Sequence, residues 1–332
     1  MISSNAEISV NGETLKVPST SINGRMVVVT GKNIRVAGVK DEEFFEGEAV
    51  DNADVFVEKL RGGELKVDIF NYSRKFPDAK PNYAHLMEWD NSAVIPIKSY
   101  ADWWEKLPQE SRRNVRKAAK VGVAVRQAEF NDEFVRGISS IYNETPVRQG
   151  RPFWHYGKDF ETVKKENATY LERSELIGAY LNGELIGFLK MVYVERTANI
   201  MQILTKNQHY DKRPANALIA KAVEICEKKG MSSLVYCKYI YGKNDQNPLT
   251  EFKRRNGFEQ VLYPRYFVPL TMKGRLVLSL RLHHGLSGVI PKRLWLFLVG
   301  LRARFFELVR RRKDPPAVGC ALPENCKEQS SL

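Results

Sequence analysis

The densest group of chemically capable side chains in the sequence lies in residues 141–157, IYNETPVRQGRPFWHYG. The segment offers a carboxylate, two fixed cations, a proton carrier and flat aromatic walls, supplied by Glu144, Arg148, Arg151, Phe153, Trp154, His155 and Tyr156. Pro146, Gly150 and Pro152 interrupt the segment, so a loop is predicted rather than a regular helix. Because loops on a rigid sheet often carry function, we predict a substrate site here, with aromatic walls suited to sugar rings or bases.

A structural role for the same residues is the alternative. The aromatic side chains Phe153 and Trp154 can simply fill space against a sheet, and an Arg–Glu pair can staple the loop. A histidine in an aromatic-rich loop, such as His155, is as often a hydrogen-bonded packing residue as a catalyst. Both interpretations stay open at the level of the sequence.

A second group of side chains is purely basic. Residues 111–128 contain no acid and six basic residues, namely Arg112, Arg113, Arg116, Lys117, Lys120 and Arg126. On a helix, Arg112, Arg116 and Lys120 share one face because they are four residues apart. Such a face can hold the phosphates of a tRNA, a nucleotide-sugar or a lipid-linked pyrophosphate, and Arg113 and Arg116 are our candidates for substrate binding. A solvated helix face is the alternative.

The elements that must position these groups follow from the hydrophobic period of residues 122–270. Residues 123–129 alternate apolar and polar side chains, as a half-buried strand does. Residues 131–147 begin with a capping residue, Asn131, and continue with helical spacing. A strand followed by a helix is therefore predicted at the start of this region.

Three β-rich runs come next, at residues 175–181, 184–195 and 197–205. Asn182-Gly183 joins the first two runs and predicts a two-residue hairpin, because both turn positions need a positive φ. A helix is then predicted to begin at Pro214 and to end at Gly230. The remaining predicted elements are a strand, a short helix and a final strand, at residues 233–239, 248–256 and 258–270.

This order of elements resembles the GNAT acyltransferase fold, and FKRRNGF at residues 252–258 is similar to the family's final helix and its Asn-Gly-Phe turn. The resemblance implies an α/β fold with a mixed, mostly antiparallel sheet and helices on both faces. It also implies that the strands ending near Thr205 and beginning near Ser233 splay apart, leaving a slot for the acyl donor. In the family the thioester lies along the fourth strand, so Gln202 and Leu204 are expected to face this slot.

The loop that grips the pyrophosphate of coenzyme A in GNAT enzymes is matched only in part. Alignment on Leu218 places four residues on the family's Arg and glycine positions, namely Tyr210, Asp211, Arg213 and Ala215. Only Ala215 is compatible, so Lys212 and Arg213 are expected to replace by side-chain charge what backbone N–H groups provide in the family. The resemblance implies acyl-CoA as donor, with contacts expected from Gln202, Leu204, Tyr210, Lys212, Arg213 and Asn216.

Acyl transfer to an amine needs a base for the amine, donors for the tetrahedral oxyanion and an acid for the leaving group. Glu144 is our first candidate for the base and His155 is the second. The acid in many family members is a Tyr at the position of Lys253, so that Tyr is absent here. Tyr241 is expected to replace it. The alternatives are Tyr239, Lys238 and solvent.

Residues 103–125 resemble the Fem-type peptidyltransferases, a GNAT-related group that moves amino acids from aminoacyl-tRNA onto cell-wall precursors. The likeness lies in a helix-to-strand passage formed by Arg113, Asn114, Arg116, Lys117 and Gly122. It implies a Fem-like member of the GNAT superfamily, with aminoacyl-tRNA as the alternative donor. Fem-type proteins contain two GNAT-like halves, of which the first looks abbreviated in this chain.

The composition excludes several classes of protein. A chain of 332 residues with 43% hydrophobic and 11% aromatic residues predicts an ordered core rather than disorder. No signal-peptide pattern opens the chain, and the longest apolar run, residues 294–299, is far shorter than the roughly 20 residues of a membrane-spanning helix, so a cytoplasmic protein is predicted. The cysteines lack metal-ligand spacing, so we predict reduced thiols and no metal; they are Cys226, Cys237, Cys320 and Cys326.

The net charge of +13 is concentrated near the C-terminus. Residues 273–313 contain eleven Lys or Arg against one acid, Glu307, a net +10 that leaves only +3 for the rest of the chain. Residues 292–313 predict an amphipathic helix with a cationic rim, which suits an anionic membrane surface or, alternatively, packing on the catalytic domain.

The predicted units are a β-rich lead-in with a partial GNAT-like half, a GNAT-like domain, a basic tail and a disordered C-terminus, at residues 1–121, 122–271, 272–313 and 314–332.

Taken together, the sequence predicts a cytoplasmic, membrane-peripheral N-acyltransferase. Its donor is acyl-CoA, and its acceptor is an amine on a sugar, a nucleotide-sugar or a lipid-linked glycan precursor of the cell envelope. Aminoacyl transfer from tRNA is the second hypothesis. The third is a catalytically inactive scaffold that its basic tail recruits to a membrane.

Overall fold

The computed structural model describes residues 4–10, 13–44, 50, 52–73, 81, 84–148, 150–241 and 247–284. The strands are β1 Ser4–Val10, β2 Glu13–Ile22, β3 Arg25–Thr30, β4 Val36–Val39, β5 Ile69–Ser73, β6 Leu86–Pro96, β7 Ala124–Gln127, β8 Val147–Arg148, β9 Arg151–Pro152, β10 Ser174–Leu181, β11 Glu184–Val194, β12 Thr197–Thr205, β13 Ser233–Val235 and β14 Glu259–Pro269. The helices are α1 Ala53–Arg61, α2 Tyr100–Lys106, α3 Gln109–Lys120, α4 Asp132–Tyr142, α5 Phe160–Asn167, α6 Pro214–Lys228, α7 Pro248–Arg255 and α8 Met272–Ser279. Short 3₁₀ helices occupy Leu171–Arg173, Asn207–Lys212 and Leu282–His284. The predicted tail at residues 292–313 and the segment 314–332 lie outside the described residues.

One sheet of twelve strands organises the described part of the chain, in the order β1-β2-β3-β4-β5-β14-β6-β13-β12-β11-β10-β7. Only the pairs β4–β5 and β12–β13 are parallel, and the other neighbours are antiparallel. The predicted fold class, a mixed and mostly antiparallel sheet with helices, is confirmed. None of the helices in the described ranges combines the length and the apolar character that crossing a lipid bilayer requires.

Several local features form as the sequence predicts. Asn182 and Gly183 both have positive φ in the β10–β11 hairpin. Asn131 caps α4 by accepting a hydrogen bond from the backbone N–H of Phe134 at 2.9 Å. Pro214 occupies the first turn of α6, where a missing N–H costs nothing. These features depend only on neighbouring residues, which is why the sequence alone predicts them.

Helices cover both faces of the sheet around β11 and β12. On one face, α2, α3 and α6 pack on a core that includes Leu189, Met191 and Ile200. On the other face, α4 and α5 pack on Phe188 and Leu176. Because side chains alternate along a strand, β12 presents groups to both layers.

The predicted splaying of two neighbouring strands is present. β12 and β13 pair only from Thr197–Asn199 to Ser233–Val235. Beyond Val235 the chain stays paired with β6, because Tyr236 N–H donates to Ala93 O at 2.8 Å and Ala93 N–H donates to Cys237 O at 2.9 Å. The second half of β12, residues 200–205, therefore pairs with β11 alone, and a slot opens between β12 and the segment after β13.

One expectation about the elements is corrected. The strand predicted at residues 233–239 is only three residues long, because the backbone after Val235 continues along β6 but no longer pairs with β12. Residues 100–120 form two helices, α2 and α3, since Pro108 cannot continue the first. The strand β6, from the predicted first half, lies between β13 and β14 of the predicted second half, so one sheet spans both.

Candidate functional site

Lys253 lies at the fork between β12 and the segment after β13, although it belongs to α7. Its side chain is fully buried. The Nζ atom donates hydrogen bonds to the carbonyl oxygens of Tyr236, at 2.9 Å, and Lys238, at 2.5 Å. It also lies 4.3 Å from the ring centroid of Tyr236 and 5.0 Å from that of Tyr241. No carboxylate pairs with this ammonium group among the residues that the structure describes.

Burial lowers the pKa of Lys253 to about 8, so the group is still mainly protonated at neutral pH. An ammonium group has three N–H donors, and the two carbonyls engage two of them. The third donor has no hydrogen-bond acceptor among the described residues, and the rings of Tyr236 and Tyr241 flank the group. A buried cation of this kind can stabilise an oxyanion, because a low-dielectric environment strengthens the interaction.

Tyr241, our candidate for the leaving-group acid, lies beside this ammonium group. Burial and the nearby Cys237 raise the pKa of its phenol well above the usual value of 10.0. The ring is 40% exposed, so a ligand in the slot can reach it. Its place beside Lys253 is compatible with proton donation, and its catalytic role stays a prediction.

On the face covered by α4 and α5, a chain of hydrogen bonds links four side chains. Asn167 donates to the Tyr142 hydroxyl at 3.3 Å, and this hydroxyl donates to Gln202 Oε1 at 2.9 Å. Gln202 Nε2 lies 3.3 Å from His155 Nε2. Because Oε1 of Gln202 is the acceptor for Tyr142, its Nε2 faces His155 as a donor, which places the imidazole proton on Nδ1.

The surroundings of His155 keep its imidazole neutral. Burial, followed by the charges of Lys158 and Arg148, lowers the pKa of His155 to about 4. The ring stacks on Tyr142 with centroids 4.3 Å apart, and Nδ1 lies 3.8 Å from Glu166 Oε2. A neutral imidazole at this position can accept a proton, but it is a weak base.

Glu144, our first candidate for the base, is part of a structural cluster instead. Its two oxygens accept hydrogen bonds from the backbone N–H groups of Asn207, at 2.7 Å, and Gln208, at 2.9 Å. Arg148 adds a third donor at 3.1 Å and also donates to Thr205 O at 3.0 Å. Three donors therefore engage the two carboxylate oxygens of Glu144. This geometry favours the staple that the sequence left as the alternative, and it ties the loop to the end of β12.

The other predicted acceptor contacts lie at the rim. Trp154 is 56% exposed and Tyr156 is 47% exposed, and Arg151 is exposed on β9. The Trp154 ring contacts that of His155 edge-on, with centroids 5.9 Å apart. These side chains present flat apolar surface to solvent next to the buried hydrogen-bond chain, which suits contact with an incoming acceptor.

The predicted donor contacts divide into three groups. Tyr210 is 67% exposed with Arg213 over its ring at 5.4 Å, and Lys212 lies 3.4 Å from Asp211, so these side chains are at the surface before α6. Leu204 packs in the α4 and α5 layer. Asn216 is buried and its amide donates to Asn256 Oδ1 at 2.9 Å, which joins α6 to the end of α7; its predicted cofactor contact stays a prediction.

Arg213 has a left-handed backbone conformation, with φ 59°, at the N-cap of α6. Glycine adopts this conformation most easily, and a side chain here costs energy. The sequence alignment put Arg213 on a position that is glycine in the GNAT pattern, so the backbone keeps the glycine-like conformation while the side chain differs.

The basic residues of α3 lie next to this loop. The helix packs against α6 and the 3₁₀ helix Asn207–Lys212. Its exposed cations are Arg113, Arg116, Lys117 and Lys120. These residues are at positions i, i+3, i+4 and i+7, so they share one face. Arg116 lies over the ring of Trp104 at 5.4 Å, and the described residues provide no carboxylate partner for any of the four.

Three residues of this site, Tyr142, Asn167 and Lys253, are not among the predicted site residues. The sequence predicts Tyr142 only as part of an apolar helix face, and its hydroxyl partner is 60 residues away. Lys253 is visible in the sequence only as a replacement for the family's Tyr. Its burial at the fork could have been suspected from that replacement.

The chain was compared with known proteins. No protein-family model and no curated protein matches it. Among solved structures it is similar to FemX, with 11% identity and a TM-score of 0.52 over 84% of this chain and 90% of that chain. It is also similar to a conserved protein of unknown function from Bacteroides thetaiotaomicron VPI-5482, with 10% identity and a TM-score of 0.50 over 77% and 86% of the two chains. At this identity the similarity is one of fold, and it extends over most of each chain.

Proposed function

We propose, for a chain with the Fem-like fold of the GNAT superfamily, that the slot beside β12 is where an acyl group passes from an activated donor to an amine. The observation that carries this proposal is the buried ammonium group of Lys253 at the fork between β12 and the segment after β13. An extended donor arm in the slot would meet the unpaired backbone edge of β12, and its carbonyl would approach this ammonium group.

The chemistry follows from the groups around the slot. The amine nitrogen attacks the donor carbonyl, a C–N bond begins to form, and the carbonyl oxygen becomes an oxyanion that Lys253 stabilises. Collapse of the tetrahedral intermediate breaks the bond to the leaving group, a thiolate in the case of a thioester, and Tyr241 protonates it. The amine proton passes to Nε2 of the neutral His155 in exchange for the hydrogen bond from Gln202 and, because the pKa of His155 is low, onward to solvent.

The leading donor is acyl-CoA. Lys212 and Arg213 place two cations at the start of α6, where the helix dipole adds to the attraction for phosphate. The exposed rings of Trp154 and Tyr156 favour an acceptor with a flat face, such as an amino sugar, a nucleotide-sugar or a lipid-linked glycan precursor.

Aminoacyl-tRNA is the second candidate donor, because one observation favours it specifically. The four exposed cations of α3 form a face without carboxylate partners among the described residues, beside the loop that precedes α6. This face is wider than a coenzyme A pyrophosphate requires, and it suits a nucleic-acid backbone. Both donors use the same slot.

Binding measurements separate the two donors. If acyl-CoA is the donor, acetyl-CoA should raise the melting temperature of the full chain and saturate, and an amino sugar should then release the free thiol. If aminoacyl-tRNA is the donor, tRNA should bind with a steep salt dependence, and Arg113→Gln with Arg116→Gln should reduce the slope by about one unit for each phosphate that is no longer bound.

The matched control is the pair Lys16→Gln with Lys66→Gln, which removes two exposed lysines outside the site. It should leave both binding reactions unchanged. If neither donor binds and no acyl transfer is found with either, the transferase proposal fails and the inactive scaffold is the better description.

A further inference from the structure

Two histidines and one glutamate meet on the sheet at a place that the transferase proposal does not use. Glu88 belongs to β6, and His283 and His284 belong to the 3₁₀ helix Leu282–His284 that follows α8. His283 Nε2 lies 3.2 Å from Glu88 Oε1, and His284 Nε2 lies 2.6 Å from Glu88 Oε2. The three potential ligand atoms lie within 4.8 Å of one another.

The backbone brings these residues together by a turn that a side chain makes costly. Arg281 has a φ of 55°, in the left-handed region, immediately before the 3₁₀ helix. This turn directs the two histidines onto β6. Phe267 of β14 closes the cluster from the sheet, with its ring centroid 4.6 Å from that of His283 and 6.1 Å from that of His284.

The chemistry of the three groups suits a metal ion of the zinc class. The His283 side chain is only 2% exposed, and an imidazole nitrogen is the commonest metal ligand that proteins provide. Two imidazole nitrogens and one carboxylate oxygen are typical ligands of Zn²⁺ and related first-row ions, whereas Mg²⁺ and Ca²⁺ prefer oxygen ligands. Three protein ligands leave a fourth position for water or a further ligand.

We propose that Glu88, His283 and His284 form a binding site for a divalent transition-metal ion, with Zn²⁺ as the reference ion. The ion fastens the last described turn of the chain to strand β6. The rival interpretation is a cluster without metal, in which both histidines simply donate hydrogen bonds to Glu88. The two interpretations differ in one measurable property, which is the saturable binding of one ion.

The test is calorimetric titration of Zn²⁺ into the full chain after treatment with a chelator. We expect one equivalent to bind and to raise the melting temperature. His284→Ala should lower the affinity at least about tenfold, because even loss of a residue outside the ligand set commonly costs that much. Glu88→Gln should do the same. Both side chains are partly exposed, so both variants should fold, and circular dichroism checks this.

The matched control is His85→Ala, which removes a histidine three residues from Glu88 that is not part of the cluster. It should bind Zn²⁺ as the wild type does. Titration with Co²⁺ separates this site from the cysteines, because thiolate ligands add strong charge-transfer bands that imidazole and carboxylate ligands do not. Absence of saturable Zn²⁺ binding would overturn the proposal. So would wild-type affinity in both His284→Ala and Glu88→Gln, or a Co²⁺ complex with thiolate bands.

Discussion

Two buried cations of this protein, Arg265 and Lys253, have opposite surroundings. Arg265 on β14 donates to Asp90 at 2.8 Å, to Glu42 at 3.1 Å and to Asn71 at 2.9 Å. Lys253 donates to two backbone carbonyls and pairs with no carboxylate among the described residues. Two carboxylates balance the charge of Arg265, whereas no carboxylate among the described residues balances the charge of Lys253.

The pKa values express the same difference. Burial would raise the pKa of Asp90, but the charges of Lys238 and Arg265 outweigh it and lower this pKa to about 2. Burial of Lys253 has no such compensation, and its pKa falls to about 8. A buried pair is costly to break, whereas a buried charge held by neutral dipoles costs stability and remains available to a ligand. The comparison supports a structural role for Arg265, whereas the oxyanion role of Lys253 remains our proposal.

The largest expected effect is on stability, from Arg265→Met. Removing the guanidinium group leaves the carboxylates of Asp90 and Glu42 partly unpaired, which should lower the free energy of unfolding by about 3–5 kcal/mol. Urea unfolding followed by circular dichroism measures this. Arg254→Met is the matched control, because it breaks an exposed pair with Glu251 and should leave the unfolding midpoint nearly unchanged. A change of less than about 1 kcal/mol in Arg265→Met would contradict the structural role.

The next effect is on turnover, from Lys253→Met. Loss of an oxyanion donor should lower the rate of acyl transfer by about 100- to 1000-fold. Stability should change little or rise, because the substitution also removes the cost of burying a charge. The wild-type rate should fall as the pH rises through about 8, the pKa of Lys253, since only the ammonium form stabilises an oxyanion.

Lys190→Met is the matched control for this second prediction. Lys190 is also buried, its pKa is also lowered to about 8 by burial, and it also donates to backbone carbonyls, those of Asn167 and Thr169. Its Nζ points to α5 and not to the segment after β13, so its substitution should reproduce the effect on stability with a smaller loss of turnover. Equal losses of turnover in the two variants would contradict the proposal that Lys253 stabilises the oxyanion.

Local features of the fold could be predicted from the sequence. The β10–β11 hairpin, the Asn131 cap and the start of α6 depend only on neighbouring residues. The fork between β12 and β13 was predicted from the resemblance to GNAT enzymes. The position of β6 between β13 and β14 could not be predicted, because strand register over such separations leaves no local pattern.

Side-chain partners were harder to predict than elements. Glu144 and His155 can both act as a base, and from the sequence we predicted Glu144 as the first candidate. The structure gives Glu144 two backbone N–H donors from residues more than 60 positions away, which no spacing rule reveals. His284 meets Glu88 across 196 positions for the same reason. Residue type predicted which groups are capable of chemistry, and tertiary contacts decide which of them are free for it.

The smallest expected effect concerns His155, a third buried titratable group. Its pKa is about 4 in the folded protein against the usual 6.5, so the unfolded chain binds more protons between these values and stability falls as the pH drops through this range. At about pH 5 this single group should cost about 2 kcal/mol relative to pH 7. In His155→Phe, which keeps a ring against Tyr142, the difference between unfolding free energies at the two pH values should shrink by that amount.

Phe153→Leu is the matched control, because it alters the same aromatic cluster without removing a titratable group. It should keep the wild-type dependence of stability on pH. If His155→Phe also keeps it, the imidazole must already be protonated in the folded protein near pH 5. The hydrogen bond from Gln202 Nε2 would then lack its acceptor at that pH, which would contradict the neutral, buried imidazole that the low pKa describes.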